Sequence, residues 1–412
     1  MAAVAALSVL ASVASGCAGS SADDEQGAPA ATTTVTTADP FTASAGTAPP
    51  GGDVDTSSTA SSTASTTSTT VIADGPLAEV CEPTIVVQLA DLPSPHAGPL
   101  YELLDPSATT DGAGTTAGPL TRPDGTVDDI VLEIRSGGPT VDFESALDLL
   151  AADPTITLAV ASLPAIVDSV ASPDPAVGVV SLTDVSSSAI LWDPATYPDV
   201  DTLRGLADAD VEIHHRPGAT FVDVLVAGGT LDPAELVDDY FGEPAAFVAA
   251  RGAIAQQADA LVDTILLPTL PQWGRSIAFE LAAEEGWTSY DDVVVARTSA
   301  VGADADCLGR LVPVVQEAIA AYVSDPTRTD ARIASLRSEI NPLTRVDPVL
   351  LDDGVAAGLE LGVFGVSPNG LGGFDDDRVA DFVASLPASA GLDDVALDSL
   401  VTNRFVDPDR TL

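Results

Sequence analysis

From Ile85 onward, short apolar runs alternate with stretches whose apolar residues recur at helical spacing, and this rhythm restricts the fold more than any other feature. The runs at 85–89, 130–135, 156–161 and 177–180 read as strands. Residues 141–152, with Phe143, Ala146, Leu147 and Leu150 in phase, and 163–170 read as helices. Strand and helix in alternation mean βαβ units, and so a parallel sheet covered on both faces. The pattern restarts after Asp184, with strands at 189–192 and 211–215 and helices at 200–206, 219–227, 233–240 and 244–257. Strand character returns at 277–281 and 293–297. An amphipathic helix over 307–323 follows, and helical pieces end at 376–386.

Ahead of this region the chain has another character. Residues 2–16 are apolar and small, and Ala14-Ser15-Gly16 leads into Cys17. The run is too short to span a bilayer as a helix, which takes about 20 residues, and small residues before a cysteine suit a signal peptidase that prepares Cys17 for lipidation. An ordinary secretory signal that happens to contain a cysteine is the alternative. Residues 18–76 are Ser, Thr, Ala, Gly, Pro and a few acids, a composition that buries too little apolar surface to offset its ordering entropy, so a disordered tether is expected.

Charge and chemistry exclude several functions. With 62 acidic and 15 basic residues the formal net charge is -47, a field that repels phosphate backbones and anionic membrane surfaces. All the basic residues are Arg. Without lysine there is no side-chain Schiff base, hence no pyridoxal phosphate, and no P-loop. Gly-x-Ser-x-Gly is missing and the histidines are scattered, so no enzyme and no cofactor is expected. His214 and His215 alternate faces of one strand, which argues against a shared metal. In an exported chain the remaining cysteines, Cys81 and Cys307, are expected to pair; two buried thiols are the alternative.

Several runs resemble the solute-binding proteins of ABC importers in the group that takes up nitrate, sulfonates, taurine and thiamine pyrimidine precursors. They are Val-Leu-Glu-Ile-Arg-Ser-Gly-Gly-Pro at 131–139, Ile-Leu-Trp-Asp-Pro-Ala-Thr-Tyr-Pro-Asp-Val at 190–200, Arg-Gly-Ala-Ile-Ala-Gln-Gln at 251–257, Pro-Gln-Trp-Gly at 271–274 and Cys-Leu-Gly-Arg-Leu-Val-Pro-Val-Val-Gln at 307–316. The run Asn-Gly-Leu-Gly-Gly-Phe-Asp-Asp-Asp-Arg-Val at 369–379 is similar to a C-terminal segment of one branch. The resemblance implies an α/β fold of two lobes, the type II periplasmic binding protein fold, each lobe a mostly parallel sheet flanked by helices, joined by two crossover strands. On this basis one lobe comprises 77–184 and 270–412 and the other 185–269.

Ligands in open α/β sheets sit beyond the carboxyl ends of the strands, which nominates the loops there. After the first strand come Asp91, Ser94 and His96, where relatives tend to carry an aromatic residue near 90–92 and this chain does not. Ser136, Gly137 and Gly138 precede a helix start, as an anion site or as a plain tight turn. Ser162 caps the next helix, and Ser187 lies where the chain crosses between lobes. In the second lobe Arg216, Gly218 and Thr220 precede a helix, and Asp263 falls where relatives often show Glu-Pro-Tyr. The function implied is an extracytoplasmic, lipid-anchored receptor, monomeric, that captures a small organic or oxyanion ligand and hands it to the membrane permease subunits. A surface lipoprotein of the same fold, used in sensing or adhesion without transport, is the alternative.

Overall fold

The computed structural model describes residues 75–242, 244–341, 346–386 and 395–412; Cys17 and the stretch 18–74 lie outside the described residues. In chain order the strands are Thr84–Gln88 (β1), Thr109–Thr110 (β2), Thr115–Thr121 (β3), Val127–Arg135 (β4), Leu158–Ala161 (β5), Ala176–Ser181 (β6), Ser188–Trp192 (β7), Ile213–His214 (β8), Leu236–Val237 (β9), Ala255–Asp259 (β10), Ala278–Leu281 (β11) and Val293–Arg297 (β12). The helices are Gly98–Glu102 (α1), Ala146–Ala152 (α2), Leu163–Ser169 (α3), Leu203–Asp208 (α4), Thr220–Ala227 (α5), Ala245–Ala249 (α6), Asp263–Leu266 (α7), Thr298–Ala303 (α8), Ala305–Ser324 (α9), Thr327–Ile340 (α10), Pro348–Glu360 (α11) and Asp376–Ser385 (α12).

The strands form two sheets, ordered β2-β3-β4-β1-β5-β12-β6 and β11-β7-β10-β8-β9. With the edge hairpin β2–β3 set aside, the two share one plan. A parallel triplet, β4-β1-β5 in the first lobe and β9-β8-β10 in the second, is followed by one antiparallel strand and then an outer strand. That antiparallel strand is β12 in the first lobe and β7 in the second. β7 is the first strand after the chain leaves the first lobe, and β12 the first after it returns. Each sheet therefore receives at its fourth position a strand that has just crossed, and most strands of each sheet run one way. This is the expected type II architecture.

Burial follows from that plan. Ile85 and Val87 face one core and Val86 the other, which is why β1 is apolar without alternation. Gln88, only 2 % exposed, donates to the Leu89 and Ser136 carbonyls and staples the ends of β1 and β4 together. Cys81 and Cys307 form a disulfide with a Cα–Cα distance of 4.8 Å, fastening the entry to β1 onto the first turn of α9.

Three expected helices are different here. Residues 141–152 are α-helical only from Ala146, because Asp142 and Phe143 take left-handed backbone (φ 52° and 62°), and Phe143 is exposed rather than in the core. Residues 244–257 split into α6 and strand β10, because Arg251 and Gly252 both take left-handed backbone (φ 57° and 76°) and end the helix. Residues 233–240 contribute only a 3-10 turn, Pro233–Glu235, before β9 pairs with β8. The hairpin strand β3, with Gly118 and Pro119, lacks alternation and escapes a reading by periodicity. The helical tail serves both lobes. Phe382 of α12 lies edge-on to Trp287 at 5.5 Å, and Trp287 meets Phe221 of α5 at 6.3 Å. Leu261, just beyond β10, is buried in the first lobe's core with Leu351 and Val355 of α11.

Candidate functional site

The chain crosses outward over 182–187 and returns over 282–292, and polar contacts zip the two crossings together. Leu182 N donates to Asp292 O at 2.8 Å and Trp287 Nε1 to Ser186 Oγ at 3.2 Å. Asp291 accepts from the Ser186 and Ser188 hydroxyls; burial pushes its carboxyl up, against the pull of the Ser186 hydrogen bond. Arg378 of α12 clasps both crossings. Its guanidinium donates to the Thr288 and Ser289 carbonyls of the return and pairs with Asp184 of the outward crossing at 3.2 Å, while lying 4.0 Å over the Tyr290 ring.

Beyond the crossings, strand ends from both lobes meet at His96. His96, in the turn Pro95–Ala97 after β1, places Nε2 2.8 Å from Asp259 Oδ2 at the end of β10 and Nδ1 2.9 Å from Asp292 Oδ2 ahead of β12. Ser187 Oγ donates to Asp259 Oδ2 at 2.9 Å and Thr183 Oγ1 to Asp292 Oδ2 at 3.1 Å. Burial alone would discharge His96, but the two carboxylates outweigh it and hold its pKa well above 6.5. Burial likewise opposes the Asp259 charge, and His96, the Leu261 amide and Ser187 overcome it, keeping that carboxyl below its usual range. Asp263, which opens α7 and accepts from Asp259 N at 2.8 Å, is pushed up to about 6 by burial and by the Asp259 charge.

The nominated residues divide between those with internal partners and those left open at the strand ends. Ser136 Oγ donates to Gly114 O at 2.7 Å. Gly137 exists for a close approach, since a Cβ there would stand 2.4 Å from Leu89 O, and a Cβ on Gly138 would stand 2.6 Å from Asp91 Oδ1. Ser162 caps α3 through Ala165 N, and the Ser187 hydroxyl is committed to Asp259. Of the others, Asp91, Arg216 and Gly218 are exposed, and Ser94 and Thr220 begin their helical turns without a side-chain cap. Among the described residues neither Asp91 nor the Arg216 guanidinium forms an ion pair; Arg216 is held by its own amide, which donates to Gln257 Oε1 at 2.8 Å.

Arg337 of α10 was not nominated. Its Nη1 donates to Pro93 O at 3.1 Å, its Nε is buried without a partner, and although burial lowers its pKa, Asp91, Asp263 and Asp259 supply opposing charge. The region after 323 reads in sequence only as helical pieces, and periodicity cannot say that residue 337 faces a loop some 240 positions earlier. Ser187, Asp259 and His96 share one network, yet the hydroxyl donates to the carboxylate and both ring nitrogens face carboxylates. Ser187 Oγ therefore meets a carboxylate and not a histidine nitrogen.

No family model and no curated protein matches the chain. Solved structures do. A protein from Bordetella bronchiseptica RB50 aligns with a TM-score of 0.50 at 14 % identity over 79 % of this chain and 96 % of its own. The ligand-binding component of an ABC-type import system from Staphylococcus aureus, with zinc bound, aligns at 0.48 with 12 % identity over 80 % of this chain and 100 % of its own. The alkanesulfonate-binding protein SsuA from Xanthomonas axonopodis pv. citri, bound to MOPS, aligns at 0.46 with 14 % identity over 80 % and 98 %. The likeness to the Bordetella protein is one of fold.

Proposed function

We propose that this chain is the extracytoplasmic solute-binding component of an ABC importer, which captures a small organic or oxyanion ligand between its lobes and delivers it to membrane permease subunits. The observation that carries this reading is the exchange of strands between two like-built lobes whose strand ends converge where His96 pairs with Asp259 and Asp292, with Asp91 and the Arg216 guanidinium exposed and, among the described residues, without an ion pair. In this reading Asp91 and Ser94 with Arg337 offer contacts from the first lobe, and Arg216, Gly218, Thr220 and Asp263 from the second. Lipidation at Cys17 and a tether over 18–76 would hold a monomeric receptor at the outer face of the membrane; among the described residues no helix is long and apolar enough to cross one.

Native mass spectrometry of the chain purified from its own membrane tests this. A co-purifying small molecule, and the mass of an acylated Cys17, are expected. Arg216→Ala and Thr220→Ala should each weaken the recovered ligand's binding by about 1–3 kcal/mol, the cost of leaving a buried ligand group unpaired, with melting unchanged. Unaltered affinity in both variants would remove the cleft assignment.

A further inference from the structure

The His96 ring stands between two carboxylates that belong to different lobes: Asp292 approaches from the first, Asp259 from the second. Both ring nitrogens lie within hydrogen-bond distance of a carboxylate oxygen, and a neutral imidazole has only one N–H to offer. The arrangement is complete only when the ring carries both protons. We propose that His96 is an internal latch, an imidazolium that holds the lobes together without ligand and releases them when it loses its charge.

Groups on several elements bear on the latched state. Ser187 from the outward crossing and Thr183 beside it each donate to the oxygen that receives the ring, fixing the two carboxylates in place. Asp263 of α7 adds negative charge behind Asp259, while Asp291 beside Asp292 is turned to Ser186 and Ser188. Arg337 of α10 is the opposing cation that Asp259 feels. Helix α11 packs on the turn that carries His96, but none of its acids, Asp352, Asp353 or Glu360, forms an ion pair with the ring. A closed state held in this way has a built-in competitor for any ligand that needs Asp259, so ligand and latch bias one open–closed equilibrium.

The raised pKa of His96 sets the sign. The charged form persists from acid through neutral pH, so the latch is fully present below the ordinary histidine range and is lost as pH rises through the elevated value. Small-angle scattering of the ligand-free full chain reads this directly. At about pH 6 the wild type should be compact, and at about pH 10 its radius of gyration should grow, with the far-UV circular dichroism unchanged. His96→Gln and Asp259→Asn should be wide at both values. Asp292→Asn keeps the bond to the other lobe and should widen at a lower pH than wild type. Folded His96→Gln and Asp259→Asn proteins that scatter like wild type at about pH 6 overturn the latch. Should those variants not fold, a wild-type curve that stays the same between the two pH values overturns it alone. The measurement involves no ligand, so its failure leaves the transport reading standing, and failure of that reading leaves the latch.

Discussion

Asp330 shows how one buried carboxyl writes a pH dependence into the fold. It is fully buried on α10, where Tyr322 OH donates to its Oδ1 at 2.8 Å and Asp352 of α11 stands beside it. Burial pushes its pKa up to about 8, the Tyr322 hydrogen bond pulls it down and Asp352 raises it further. The folded chain thus keeps a proton that the unfolded chain releases near pH 4. Stability is greatest below that value and falls as pH rises from about 4 to about 8. Asp330→Asn retains an acceptor for Tyr322 and removes the titration. Its melting temperature should match wild type at about pH 4 and exceed it at about pH 9, by roughly 2 kcal/mol or ~5 °C. Equal melting at both values would show that folding does not raise the Asp330 pKa. The same logic at lower pH governs Asp263, whose value of about 6 places its loss of stability between about pH 4 and 6.

At the scale of elements, the hinge is where sequence and structure part company. Strands β1, β5, β6, β7 and β12 were legible because each lies in a sheet buried on both faces and reads as an unbroken apolar run. β10 was not, since Ala-Gln-Gln-Ala-Asp carries no β-branched residue and its strand state is imposed by β7 and β8 on either side. The loops at the strand ends were also legible, but the division of labour within them was not. Whether Ser136 meets a ligand or Gly114 O, and whether His96 meets a ligand or two aspartates, depends on partners far away in sequence. The clasp by Arg378 belongs to this class: a run noticed for its similarity turns out to hold Asp184 and the carbonyls of 288–289 in place. Arg378→Ala leaves Asp184 half-buried and unpaired and frees two carbonyls, so a loss of about 3 kcal/mol is expected in denaturant unfolding. Arg378→Lys should recover little, because a single ammonium cannot replace a planar fork that also stacks on Tyr290. A Lys variant as stable as wild type would reduce the clasp to a plain charge.

On the scale of the whole molecule, the Cys81–Cys307 bridge ties together positions 226 residues apart without joining the two lobes. Both ends belong to the first lobe, at the entry to β1 and in the first turn of α9, whose apolar face fills that lobe's core through Leu308, Leu311, Val315 and Ile319. The bridge therefore encloses the second lobe and both crossings within one covalent loop while leaving the hinge free. Its effect falls chiefly on the unfolded chain, where a loop this long is worth about 5 kcal/mol on the chain-entropy account. Reduction should lower the melting temperature by roughly 10 °C. The scattering curve at about pH 6 should not change, because the contacts that hold the lobes together, His96 with Asp259 and the aromatic string through Trp287, do not involve the sulfurs. Calorimetry with and without reductant, with alkylation to count the freed thiols, checks the first point. Scattering on the reduced sample checks the second. Unchanged melting with both thiols alkylated would show that the bridge contributes nothing to the global fold, and a widened reduced form would mean that hinge closure is held from the first lobe's edge rather than from the cleft.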